Sequence, residues 1–98
     1  MMSVQSLTVP EEFTVHQVGE FAPRLLEAAR SGDKVQVDLS GVHHIDTAGI
    51  QLLLTLRREA SRSLTRLEFA NPSPAVNEMV AFYQLDALLR APAPLMSA

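Results

Sequence analysis

The sequence predicts an α/β chain, a small mixed, mainly parallel β-sheet of about four to five strands with helices packed on it. Three observations carry this. Strand-like apolar alternation occurs at Val35, Val37 and Leu39 and again over residues 67–70, with a weaker version at Val4, Leu7 and Val9. Between these lie two stretches with helical spacing, residues 18–30 and 47–63, each long enough to cross between parallel strands. Residues 4–9 and 13–16 are joined too tightly for a crossover, so these two strands are expected to pair antiparallel.

The first strand ends at Pro10, which has no N–H to offer a ladder, and Glu11 and Glu12 form the turn before the second. In the first helix Val18, Phe21, Leu25, Ala28 and Ala29 recur at helical spacing, with Pro23 near the start, where proline is tolerated. Ser31, Gly32 and Asp33 stop that helix. Asp38 interrupts the third strand from its opposite face, which puts one side or end of that strand in water. After the second long helix and the last strand, residues 71–74 (Asn-Pro-Ser-Pro) make a rigid turn into a short helix over 74–82. Residues 83–89 are apolar and partly helical, and the Pro/Ala-rich stretch 90–98 is expected to fray.

The 98 residues suffice for one domain, with its core over about 4–89, and not for two. A net charge of −3 argues against nucleic acid as partner, because phosphate binding needs a basic field. With no cysteine there is no disulfide framework or thiolate nucleophile. The N-terminus lacks the basic start and apolar run of a signal peptide, and no apolar run approaches a membrane span. These features predict a soluble cytoplasmic protein that does not insert into membranes.

The densest information lies at Asp46-Thr47-Ala48-Gly49, which opens the long helix. An acidic residue and a hydroxyl at a helix start suit capping. The same position presents Thr47 at the positive end of a helix dipole, where added negative charge is tolerated. Thr47 therefore reads either as a cap contributing about 1 kcal/mol or as a phosphoacceptor. At about 100° per residue, Gly49, Ile50, Leu53, Leu56, Ala60 and Leu64 gather on the side expected to face the sheet. Thr47, Gln51, Thr55, Arg58 and Arg62 gather opposite, flanked by Leu52 and Leu54. Either neighbouring helices bury those leucines, or a partner protein contacts at least one, each contributing roughly 1.5–3 kcal/mol before association costs. Arg57, Arg58, Arg62 and Arg66 read as a solvated helix face or as a site for an acidic partner.

The segment VDLSGVHHIDTAGIQLLL resembles the central motif of STAS domains, the family of anti-sigma-factor antagonists. The resemblance runs from about Val4 to about Leu89, and residues 71–76 resemble the family's turn into the last helix. It implies the STAS fold, no catalysis, no cofactor, and reversible protein binding through the loop and helix that carry Asp46, Thr47, Ala48, Gln51, Leu52, Leu54, Thr55, Arg58 and Arg62. In the family, the residue after the motif aspartate is phosphorylated, and that position here is Thr47. The leading expectation is a switch in which unmodified Thr47 permits binding to an anti-sigma or kinase-like regulator and phosphorylation breaks the contact. Ala48, where many members carry a second hydroxyl, and Thr14, where sigma antagonists tend to have an aspartate, count against simple phosphorylation. The Asp-Thr-x-Gly form followed by three leucines also resembles the small STAS subunit of the Mla phospholipid-transport system, MlaB. That subunit binds an ABC-transporter ATPase, with the matching threonine at the contact. STAS proteins of chemotaxis clusters are a third possibility.

Other constellations carry less. His43 and His44 are adjacent on an extended segment and point to opposite sides, so they do not converge on one metal ion. Ser40 and His43 are close, but no Gly-x-Ser-x-Gly elbow exists, nor any Gly-rich phosphate loop.

Overall fold

A computed structural model describes residues 4–89; the stretch expected to fray, residues 90–98, lies outside the described residues. In chain order the elements are β1 (Val4–Thr8), β2 (Glu12–Phe13), α1 (Val15–Ala29), β3 (Lys34–Asp38), β4 (His44–Ile45), α2 (Thr47–Arg62), β5 (Arg66–Ala70), α3 (Pro74–Phe82) and α4 (Asp86–Leu89). The main sheet has the order β1-β3-β5, all parallel, and β2 and β4 form a separate parallel ladder.

The antiparallel pairing expected for the first two strands does not occur. A short connection rules out a crossover but does not demand a hairpin. Here the chain runs on past Pro10 without reversing, so β2 follows β1 as β4 follows β3, and the β1–β3 partnership resumes in β2–β4. The break is bridged by His43 N–H donating to the Glu11 carbonyl at 2.7 Å. The second strand is also shorter than expected, and α1 starts earlier than its apolar spacing suggested. The cause is Thr14, which caps the helix, with Gln17 Oε1 accepting from its N–H at 3.3 Å and its hydroxyl at 2.8 Å.

Val35, Val37, Leu67 and Phe69 are buried on the face of the main sheet that the helices cover. The register puts Lys34, Gln36 and Asp38 level with Arg66, Glu68 and Ala70 on the other, mostly polar face, where Gln36 Nε2 donates to Glu68 Oε1 at 3.4 Å. A parallel sheet covered on one side only explains why Asp38 interrupts its strand. α1 packs on α2, α3 lies against β4, and α4 reaches both α2 and α3.

Leu64, expected to face the sheet, is instead 69% exposed. α2 stops at Arg62, and Leu64 adopts a left-handed backbone with φ of 57°. Thr65 N–H donates to the Ala60 carbonyl at 2.8 Å, the closing bond of a Schellman ending that normally selects glycine. Leu64→Gly is therefore expected to raise stability by about 0.5 kcal/mol, strain relief outweighing glycine's extra chain entropy. Urea denaturation checks this, and a loss of stability would show that the leucine's own packing dominates.

Candidate functional site

Asp46 is the N-cap of α2, with extended backbone. Its Oδ1 accepts from Gly49 N–H at 3.1 Å, and its Oδ2 accepts from Val15 N–H, the first residue of α1, at 3.3 Å. One carboxylate thus joins the N-termini of two helices, where its charge is favoured by both dipoles. This corrects the cap reading of Thr47, because capping is done by its neighbour. Gly49 is buried and packs so closely over β2 and β4 that an added Cβ would fall 2.5 Å from the Phe13 carbonyl oxygen and 2.7 Å from Ile45 Cγ1.

Relieved of capping, Thr47 is exposed as the first residue of α2, and its hydroxyl lies 3.3 Å from the Tyr83 hydroxyl. Gln51, Arg58 and Arg62 are likewise exposed. Thr55 and Ala48 are half-buried, and the Thr55 hydroxyl is spent on its own helix, donating to the Gln51 carbonyl at 2.9 Å. The expected stripe is therefore real as an outward face, strongest at Thr47 and Gln51.

The two flanking leucines differ. Leu52 is 6% exposed and belongs to the core, which removes it from any contact surface, while Leu54 is half-buried against that core. The arginine group also divides. Arg57 is no solvated residue, for its guanidinium sits 4.8 Å from the Phe69 ring centroid and donates from Nη1 to the Leu67 carbonyl at 2.8 Å. Burial holds its pKa below the ordinary guanidinium value. Arg62 pairs at 3.4 Å with Glu59, which also takes Arg30 at 3.0 Å.

Sequence reasoning missed the aromatic end of α3. Phe82 is 77% and Tyr83 42% exposed, packed edge to face with centroids 5.0 Å apart. Val15, bonded through its N–H to Asp46, is a further exposed apolar side chain at 63%. Nothing in the sequence marks these three as exposed, and only the folded arrangement brings Tyr83 to Thr47. Among the described residues, no group of three or more metal-ligating side chains is placed to hold an ion, and no helix is long and apolar enough to cross a membrane.

A parallel sheet with helices on one face, and an Asp-Thr-x-Gly turn opening the central helix, define a STAS-type module. The chain belongs to the STAS domain family, matching over residues 3–90 the family model described as "Mlab, STAS domain". Among solved structures it is similar to an anti-sigma-factor antagonist (STAS) domain protein from Planctomyces limnophilus, with a TM-score of 0.76 and 20% identity over 91% of this chain and 83% of that one. It is similar too to a Thermotoga maritima protein assigned as an anti-sigma factor antagonist, at TM-score 0.76 and 15% identity, covering 97% of this chain and 85% of that one. At such identities the likeness establishes the shared fold. No curated protein sequence matches the chain.

Proposed function

We propose that this STAS domain works in the cytoplasm, without catalysis, by binding a partner protein through the surface where the start of α2 meets the end of α3. The observation that carries this is the approach of the Thr47 and Tyr83 hydroxyls at 3.3 Å, which brings the polar stripe and the exposed aromatic pair together. An aromatic anchor ringed by polar groups is the composition of interaction hot spots. Covering Phe82 would contribute roughly 1.5–3 kcal/mol before association costs. Arg58 and Arg62, further along α2, give the surface a basic flank suited to an acidic rim on the partner.

Within this class, an accessory subunit seated on the ATPase of a phospholipid ABC transporter is favoured by the MlaB description of the matched family. A switch of the anti-sigma-antagonist kind is the second reading, supported by the exposed Thr47 hydroxyl at the first position of a helix. There a kinase would transfer the γ-phosphoryl group of a nucleoside triphosphate to Thr47 Oγ1. The bond to the departing diphosphate breaks as the new O–P bond forms, and the hydroxyl proton passes to the kinase's base. About two negative charges would then sit at the centre of the surface.

Affinity capture of the tagged chain from its native cell extract, with mass spectrometry, tests both. An ATPase with permease-like proteins indicates the transporter, and a histidine-kinase-fold or sigma regulator with phosphate on Thr47 indicates the switch. Phe82→Ser and Thr47→Glu are each expected to weaken the captured complex about tenfold or more in either case. Thr47→Ala should weaken it about as much as Thr47→Glu if Thr47 is a plain contact, and less than Thr47→Glu in the switch. Undiminished affinity in both Phe82→Ser and Thr47→Glu would overturn the assigned surface.

A further inference from the structure

We propose that Thr47 acts through Tyr83: its hydroxyl positions the tyrosine ring and so sets the shape of the aromatic surface that a partner meets. The inference deepens the protein-binding reading, on which only its consequence rests, since the device itself is internal to the chain. The backbone at Tyr83 is held independently of Thr47. α3 closes with Leu85 N–H donating to the Val80 carbonyl at 2.8 Å and Gln84 N–H to the Ala81 carbonyl at 3.1 Å, with Gln84 left-handed at φ of 57°. The ring, by contrast, is 42% exposed and reaches across to α2. It is steadied at its tip by the Thr47 hydroxyl at 3.3 Å and at its side by the edge-to-face contact with Phe82.

Loss of the Thr47 contact therefore leaves α3 in place and frees the ring to sample other staggered rotamers, away from its edge-to-face geometry on Phe82. A partner group that draws the Thr47 hydroxyl away from Tyr83 has the same effect as deleting it. Thr47 is in this sense a positioning residue for the aromatic pair, and it governs recognition even where a partner touches only Phe82 and Tyr83.

The chain has one tyrosine and no tryptophan, so its intrinsic fluorescence reads Tyr83 alone. Acrylamide quenching of the purified chain is expected to rise about twofold in Thr47→Val, since the ring starts at 42% exposure and a freed side chain samples open positions within nanoseconds. Thr47→Ser, which restores the hydroxyl, should quench as the parent does. Nuclear Overhauser contacts between the Tyr83 ring and the side chain of residue 47 should persist in Thr47→Ser and vanish in Thr47→Val. Parental quenching and retained ring contacts in Thr47→Val, or a Thr47→Ser chain behaving like Thr47→Val, would overturn the proposal. Neither readout needs a partner, so a failure here leaves the binding surface standing, and an intact device on a chain that captures nothing refutes the binding reading alone.

Discussion

Gly49→Ala is expected to lose about 2–3 kcal/mol of stability, although alanine is the better helix former by about 1 kcal/mol. The two effects oppose each other, and distance decides between them. The new Cβ would fall 2.5 Å from the Phe13 carbonyl oxygen, 2.7 Å from Ile45 Cγ1 and 3.0 Å from Phe13 Cδ2. Phe13 has no exposed surface, and its backbone is paired with Ile45 in the β2–β4 ladder, so neither neighbour is free to retreat. At 4–8 °C per kcal/mol, the melting temperature should fall by roughly 10–20 °C. An alanine variant that melts with the parent would mean that α2 can lift off the ladder at little cost. Lifting it would also carry Thr47 away from Tyr83, so surviving folded molecules should show the raised tyrosine quenching as well.

That glycine illustrates what was legible in the sequence. The Asp-Thr-x-Gly start of α2 and the inward face at Ile50, Leu53, Leu56 and Ala60 follow from spacing alone, because helical periodicity is a local property. That the main strands run parallel follows from alternating strands and helices. What failed were relations between distant segments. The run-on of β1 into β2 depends on a neighbour 32 residues away supplying the ladder, as the pairing of Phe13 with Ile45 shows. Leu64 fits the inward stripe of the wheel, but the helix ends two residues before it and the left-handed cap turns it outward. Arg57 belongs to a basic run by composition, yet its guanidinium lies over the Phe69 ring. The aromatic half of the surface was invisible for the same reason, since exposure of Phe82 is decided by where α3 ends relative to α2.

The second large loss is expected at Asp46, where alanine should cost about 2–3 kcal/mol, the sum of a helix cap and a hydrogen bond left unmade at a second helix. The carboxylate serves Gly49 with one oxygen and Val15 with the other, so its removal should fray both α1 and α2. Asp46→Asn separates the contributions. The amide keeps one acceptor for Gly49, loses the second for Val15, and removes the charge shared by two dipoles, for a loss of about 1 kcal/mol. Hydrogen exchange provides the test, with protection at Val15 and Gly49 falling together in Asp46→Ala and chiefly at Val15 in Asp46→Asn. Fraying confined to α2 in both variants would reduce the Val15 bond to an incidental contact. The adjacency of Asp46 and Thr47 then acquires a physical reason. Because the aspartate satisfies the helix ends, the next side chain owes nothing to the backbone, and its hydroxyl is left over to hold Tyr83 and to meet whatever approaches that surface.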